Sequence, residues 1–414
     1  MAAMDFPASP TDGQLYPAAP NSEYIYNTDK GAWMSLPTEA AKTITSDIAP
    51  VNPKDGDQWF NSIDGCLYLY YVDVDGGQWL QTKNDASFSS TLGPRVDAME
   101  ANDNRNVIIN GAFDIWQRGT SFTNGGAYTA DRWQISTDKT VTVSQQTFTP
   151  GTAPVAGYEG TYFMRYATTS TGSYQDLFQK VEDVRTFAGQ TVTLSFWAKV
   201  ASGTLSITPR IEQYFGSGGS STTYNSFSSQ SITTSWQRFT MTQTLPSISG
   251  KTIASGNFIS VLLFGYGAGT ATIDLWGVQL QAGSVATAFH RNAPSLQAEL
   301  AACQRYYQKS YNTVTAPGTN TDAGSMQFAG ATNGGGNTTV PVPLKVQMRS
   351  TPSIAFWTQS GTANVWDYER SGAAGTLTAN ATGIGDGGFR TYVSTGVSFT
   401  ACATYGHWVA TAEL

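Results

Sequence analysis

Two tryptophans, two arginines and an aspartate fall within one short region of the chain. They are Trp116 and Arg118 in NVIINGAFDIWQRGTSF (Asn106–Phe122), and Asp131, Arg132 and Trp133 in the AYTADRW that ends at Trp133. Aromatic rings stack on the C–H faces of sugars, and Arg and Asp make paired hydrogen bonds to hydroxyls. The cluster could therefore be a sugar platform, a catalytic cleft, or the opening strands of a β-sandwich whose Arg–Asp pair fixes loop geometry. A second set lies on two later stretches. In TVTLSFWAKV (Thr191–Val200) alternation places Trp197 and Lys199 on the face opposite Val192, Leu194, Phe196, Ala198 and Val200. In LSITPRIEQYF (Leu205–Phe215) the same rule groups Arg210, Glu212 and Tyr214. If both faces belong to one concave sheet, these five residues form a carbohydrate-binding surface; the alternative is that Trp197 packs under a loop or against a neighbouring subunit.

Other chemistries find less support. Glycoside hydrolysis needs two carboxylates flanking a cleft, and the acidic residues Asp176, Glu182, Asp183, Asp274, Glu299, Asp367, Glu369 and Asp386 stand in no paired motif. His290 and His407 are far apart and no G-x-S-x-G elbow accompanies them. The glycine-rich GIGDGGF (Gly383–Phe389) lacks the lysine of a phosphate loop. The expectation is a protein with no catalytic residues. Cys66, Cys303 and Cys402 are odd in number and widely spaced, so each reads as a small buried hydrophobe rather than a disulfide or metal ligand.

The elements that must position these residues are β-strands. Charged residues are 13% of the 414, against roughly 25% in ordinary soluble domains, and 42 Gly, 20 Tyr, 20 Phe and 11 Trp are present. Aromatic and Thr-rich runs suit a pleated surface, while Gly, Asn and Asp punctuate turns. A net charge of −7 without a basic run argues against nucleic acid. No stretch of 18 apolar residues predicts membrane insertion, and MAAMDFPASPTDGQ has neither the basic region nor the apolar core of a secretory signal. The expectation is folding in a cytoplasm.

Along the chain, PTDGQLY (Pro10–Tyr16) recurs as PKDGDQWF (Pro53–Phe60), and each copy runs through an aromatic strand to Trp33 or Trp79. Residues 1–84 thus read as two small β-meanders, each too small to bury a core alone. Residues 85–105 are a polar connector in which Pro94 can open a short helix. Strand patterns bounded by turn signals fill 106–291, including WQRFTMTQTL, NFISVLLFGY and ATIDLWGVQLQ, and predict a β-sandwich. One helix is predicted within 292–310, over SLQAELAACQRYYQK, with Ser295 as N-cap and Leu296, Leu300, Cys303 and Tyr307 on one face. A smaller β-domain follows over 311–414, with strands at PSIAFWT, GFRTYVSTGVSF and YGHWVATAEL. The fold class is all-β and multi-domain.

In order, VIINGAFDIWQRGTSF, YTADRW, IDLWGVQLQAGSVATAF and ELAACQRYY resemble a module of bacteriophage tail fibre and receptor-binding proteins. There a carbohydrate-binding-module-like jelly roll opens on the first string, closes on the third and runs into a helix ending CQRYY. Gln281 departs from the pattern, which has an acidic residue there. NPKDGDQWF and LYLYYVDVDGGQW likewise resemble small modules of phage fibre and virion proteins, and PLKVQMRSTPSI is common after the helix in such fibres. The resemblance covers about residues 50–85 and 106–310. It implies a homotrimeric virion protein, attached by its N-terminal end to the tail or its adaptors and adsorbing to host cell-surface polysaccharide. A capsid-bound fibre or decoration protein is the alternative, with a polysaccharide-depolymerising tailspike behind it. The resemblance also implies that motif residues such as Trp116, Arg118, Asp131, Arg132 and Trp133 serve the fold, because receptor contacts would differ between hosts. No cofactor is expected. Jelly-roll modules of this kind can carry a structural calcium, for which Asn110, Asp114 and Asp274 are the candidate oxygen ligands.

Overall fold

The computed structural model describes residues 8–11, 14–16, 24–35, 43–63, 66–73, 76–81, 106–123, 125–155, 158–265, 269–332, 337–370, 373–394 and 399–414. The connector expected at 85–105 lies outside them. By compactness the chain divides into Met1–Met99 and Glu100–Leu414. Among the described residues the fold is all-β apart from one helix.

In the first unit, β1 (Leu15–Tyr16), β2 (Tyr24–Asn27) and β3 (Ala32–Ser35) form an antiparallel three-stranded sheet, the meander expected from the first repeat. The second repeat gives β4 (Thr43–Ser46), β5 (Gln58–Asn61), β6 (Cys66–Asp73) and β7 (Gly76–Gln81). Here the meander gains a parallel strand, because β4 pairs with β5. The repeated tryptophans anchor each sheet. Trp33 meets Tyr26, while Trp59, Tyr68, Tyr70 and Trp79 form one chain of ring contacts.

In the second unit the sandwich strands are β8 (Ser121–Phe122), β9 (Gln134–Thr137), β10 (Val141–Thr147), β11 (Tyr162–Thr168), β12 (Gln175–Glu182), β13 (Thr191–Val200), β14 (Leu205–Ile207), β15 (Arg210–Tyr214), β16 (Thr223–Ser226), β17 (Gln230–Ile232), β18 (Gln237–Thr244), β19 (Phe258–Leu262) and β20 (Thr272–Ala282). One sheet runs β18-β13-β20-β11-β10-β8 and the other β16-β15-β19-β12-β9, with β14 and β17 as a separate pair. Between the sheets lies the main core. Val192, Leu194, Phe196, Ala198 and Val200 enter it from one side, and Ile135, Leu177, Ile211, Ile259 and Val261 from the other. LSITPRIEQYF is not one strand as expected. Pro209 has no N–H for a ladder, and the segment splits there into β14 and β15 in different sheets.

A bulge re-aims β20. The pairing of β13 with β20 shifts between Ser195 and Trp197, and Gly277 takes φ +65° at that point. The extra residue keeps Leu275 and Val278 both inside the core while Trp276 and Gln279 face outward.

Helix α1 (Leu296–Gln304) begins at Ser295, whose hydroxyl accepts from Ala298 N. It is shorter than the sequence predicts, and its buried residues are Glu299 and Cys303, whereas Leu296 is 51% exposed. Tyr307 does not continue it. After one turn the chain enters β21 (Tyr307–Lys309), followed by β22 (Met326–Thr332), β23 (Asn337–Pro343), β24 (Ser353–Trp357), β25 (Val365–Arg370), β26 (Ala373–Gly385), β27 (Gly388–Ser394) and β28 (Phe399–Thr411). The long β28 organises this sheet by pairing with β21, β22, β24 and β25. A second core around Trp366, Phe356, Phe389 and Trp408 packs it.

Candidate functional site

The residues that looked richest in chemistry are buried and matched to one another. Asn110 adopts φ +58° and closes its turn with its own side chain. Its Nδ2 donates to Ile115 O and Asp131 O, and its Oδ1 accepts from Ile115 N. Gly111 follows because a Cβ there would collide with the Val278 carbonyl. Trp133, fully buried, donates through Nε1 to Asn110 O at 3.1 Å. Asp131 accepts from Gln117 N at 3.0 Å and from Gln117 Nε2, with Arg118 Nη1 at 3.5 Å. Burial pushes the Asp131 carboxyl upward, against the pull of Arg118 and the Gln117 donors.

Both motif arginines reach a residue far along the chain. Glu413 accepts from Arg118 Nη2 at 2.7 Å and from Arg132 Nη1, and Arg132 Nη2 donates to Lys180 O. Arg118 lies 3.7 Å over the Tyr307 ring and Arg132 3.4 Å over Tyr306. Lys309, 3% exposed, directs its ammonium at the carbonyls of Gln117, Thr313 and Thr315. The WQRG, TADRW and CQRYY segments therefore meet in one polar lock that joins the sandwich to the distal sheet. Cys303, fully buried, sits within it, and burial raises its thiol well above the ordinary value.

The three metal candidates do not come together as a cation cage. Asn110 has its amide engaged as above. Asp114 receives both Nε and Nη2 of Arg291, and Asp274 forms a two-point pair with Arg165. Each carboxylate is thus neutralised by its own guanidinium, and as a set they do not fit calcium. Among the described residues no group of three or more His, Cys, Asp or Glu side chains could hold a metal ion.

The five expected sugar contacts do not share a face. Trp197 and Lys199 come from β13 and Arg210, Glu212 and Tyr214 from β15, and these strands lie in opposite sheets with the core between them. The single platform expected from sequence is therefore two separate surfaces. Trp197 is also covered. It is 7% exposed and packs against Trp276 and Phe289, in an aromatic cluster with Phe148 and Phe163. The segments carrying Phe148, Tyr158 and Phe289 fold over that part of the sheet, so its ring offers no open stacking face.

The β15 residues do group as expected, on the outer face of the five-stranded sheet. Register aligns Tyr224, Glu212, Ser260 and Lys180 across β16, β15, β19 and β12. Tyr214 aligns with Phe258 and Glu182 in the next row, their rings 4.8 Å apart for the first pair. Tyr224 is 59% exposed, and its hydroxyl stands 3.5 Å from Glu212 Oε1. The Arg210 guanidinium lies 5.4 Å over the Tyr224 ring and donates to Asp176 Oδ2, while Asp176 Oδ1 accepts from Phe264 N and Gly265 N. Lys180 lies over Phe258 at 4.6 Å and donates to Leu414 O. Burial raises the Glu212 carboxyl, opposed by Lys180, Tyr224 and Arg210. Burial lowers the Lys180 ammonium, opposed chiefly by Glu212. At ordinary strand spacing the row from Tyr224 to Lys180 spans about 14 Å, with Ser260 in its middle fully buried. A pocket of about 150 Å³ lined by Glu182, Asp183, Asn257, Arg349 and Leu414 adjoins its far end.

This surface combines a presented ring, an acceptor and two cationic donors. Tyr224 and Lys180 were missed in the sequence. Tyr224 lies in TTYNS, whose Ser- and Gly-rich surroundings read as a loop, and Lys180 carries no mark until register places it opposite Ser260.

No family model matches the chain, and no curated protein matches it. Solved structures do show likeness. The enzymatically active domain of bacteriophage CBA120 tailspike protein 4 is similar at 16% identity over 43% of this chain, with a TM-score of 0.29, and the match spans 21% of that chain. A xylan-binding domain from Paenibacillus barcinonensis is similar at 14% identity over 41% of this chain and 99% of its own, with a TM-score of 0.28. A family 11 carbohydrate-binding module from Clostridium thermocellum, solved with a β-1,3-1,4-mixed-linked tetrasaccharide, is similar at 14% identity over 41% of this chain and 99% of its own, with a TM-score of 0.27.

Proposed function

We propose that this is a non-catalytic glycan-binding fibre protein of a bacteriophage tail, acting as a homotrimer that adsorbs to host cell-surface polysaccharide. The observation that carries the reading is the outer face of the five-stranded sheet, where exposed Tyr224 stands beside Arg210 and Glu212. A pyranose ring stacks on the Tyr224 face, its hydroxyls donate to Glu212 and accept from Arg210 and Lys180. Each contact is weak in water, and three subunits per fibre raise the effective affinity without a tight single site. The order of the sequence motifs supports the phage setting. The exposed apolar residues of the N-terminal unit, among them Ile48, Val51 and Ile63, support attachment of that end to a tail or adaptor protein. Assembly then takes place in the host cytoplasm and the protein resides in the virion.

The carboxylates support binding rather than hydrolysis. Glu212 is a half-buried acid on this face, and its neighbour Asp176 is held by two backbone amides and Arg210. A glycosidase needs two carboxylates with separate roles across a cleft, and Asp176 is not free to take the second. The test is a binding screen against bacterial surface polysaccharides with the intact chain and Tyr224→Ala. Glycans retained by the first, weakened in the second and unshortened after incubation are the expected result. Shortened glycan chains would overturn the non-catalytic reading, and retention equal in both would overturn the site.

A further inference from the structure

The other outer face, on the six-stranded sheet, has a different character. Arg165, Lys199 and Asp274 lie in register on β11, β13 and β20. Arg165 and Lys199 side chains are 39% and 32% exposed, while that of Asp274 is 6% exposed. Asp274 receives Arg165 Nε and Nη2 at 2.7 and 3.0 Å and has Lys199 Nζ at 3.7 Å, so one carboxylate faces two cations. On the neighbouring strand Arg238 lies 4.8 Å over the Trp197 ring. Its Nη2 donates to Ser195 Oγ and Thr287 O, and its Nε is buried without a hydrogen-bond partner. Among the described residues no acidic side chain pairs with Arg238. Half-buried Trp236, just before β18, rests against Phe148 and Phe163 at 5.6 Å, and Lys199 Nζ lies over its ring, 5.4 Å from the ring centre.

Three cations against one carboxylate make this a local positive surplus on a chain of net charge −7. A bare cation pair would attract any small anion. The tryptophan adds a flat apolar surface beside the charge, which suits a ring carrying an anionic group. A sheet face of strand spacing also suits an extended chain rather than a compact ion. We infer that the six-stranded face is a second glycan site, selective for acidic sugars: the pyranose ring lies on Trp236 and its carboxylate is held by Lys199 and the free edge of Arg165. The inference rests on the glycan-binding reading above and adds a charge class and a separate location. Arg238 supplies longer-range attraction, strengthened because its own side chain lacks a countercharge.

The experiment uses the intact chain and saturation-transfer NMR. The probes are glucuronate, galacturonate and N-acetylneuraminate, each beside an uncharged counterpart: glucose, galactose and the methyl ester of N-acetylneuraminate. Acidic sugars are expected to receive stronger transfer than their neutral twins, and to lose that advantage as salt is raised. Lys199→Gln is expected to weaken binding of the acidic member about tenfold, the size of one charged hydrogen bond. Trp236→Leu, judged alongside an unchanged melting temperature, should remove transfer to the ring protons. Acidic sugars bound no better than neutral ones, while neutral glycans still bind, would overturn this inference and leave the first reading standing. An acidic preference that survives Lys199→Gln and Trp236→Leu would place the site elsewhere. Loss of every glycan from the screen would overturn both.

Discussion

Replacing Glu413 by Gln keeps the shape of the polar lock and removes its charge. In the structure Glu413 Oε1 takes Arg118 Nη2 at 2.7 Å and Oε2 takes Arg132 Nη1. The side chains of Arg132, Glu413 and Arg118 are 1%, 6% and 12% exposed, so water cannot replace the lost partner. Arg118 retains Asp131 at 3.5 Å and the Tyr307 ring, and Arg132 retains the carbonyl of Lys180 and the Tyr306 ring. Removing one partner of a buried ion pair costs roughly 3–5 kcal/mol, because the other charge is stranded. For a unit of this size that corresponds to a melting temperature lower by about 6–10 °C, taking about 2 °C per kcal/mol. The assay is thermal and urea unfolding of the full chain followed by tryptophan fluorescence, with Glu413→Gln, Arg132→Met and the double variant forming a cycle. In the double variant the stranded charge of Arg132 is gone and only that of Arg118 remains, so the combined loss should fall short of the sum of the two singles. A loss under about 1 kcal/mol for Glu413→Gln, or strictly additive losses, would refute the view that this pair locks the distal sheet to the sandwich.

Two further outcomes test the interior. Burial lowers the Lys309 ammonium from its ordinary 10.5 to about 8. The unfolded chain then binds the proton more tightly, so this group's contribution falls as pH drops from 10.5 to 8 and is level below that. Unfolding free energies of the wild type minus those of Lys309→Met should therefore rise by about 3 kcal/mol across that window, and a flat difference would contradict it. At Gly277, where φ is +65° and a Cβ would meet Trp197 Cε3 at 2.8 Å, Gly277→Ala should cost roughly 2–3 kcal/mol by denaturant unfolding. Gly126→Ala, with φ +84° and open space around it, should cost only the backbone strain of about 1 kcal/mol.

What the sequence disclosed depended on how local each signal was. The core face of β13 follows from strict alternation over ten residues, and every apolar residue predicted to point inward does so. Alternation cannot say what covers the opposite face, so it left Trp197 between a sugar platform and packing under a loop, and the structure packs it in one cluster with Phe148 and Phe289 from distant segments. Counting register through Pro209 joined two strands that belong to different sheets, although the missing N–H was a readable sign. On α1 the periodic pattern put Leu296 on the packed face, yet it is exposed and Glu299 is buried. The backbone amides of Asn110 and Ala293 need an acceptor, and Glu299 supplies it. The acceptor that Arg118 and Arg132 share lay beyond any motif, since Glu413 is 295 and 281 positions from the two arginines.

Exposed Tyr224 and its neighbours on the five-stranded sheet are proposed to bind glycan. Titration calorimetry with a polysaccharide fragment retained in the screen tests it most directly, comparing the wild type with Tyr224→Ala and Glu212→Gln at matched melting temperature. The account predicts about a tenfold loss of affinity for Tyr224→Ala, from the lost ring stacking, and a similar loss for Glu212→Gln, from a charged acceptor made neutral. Affinity unchanged in both variants would contradict it.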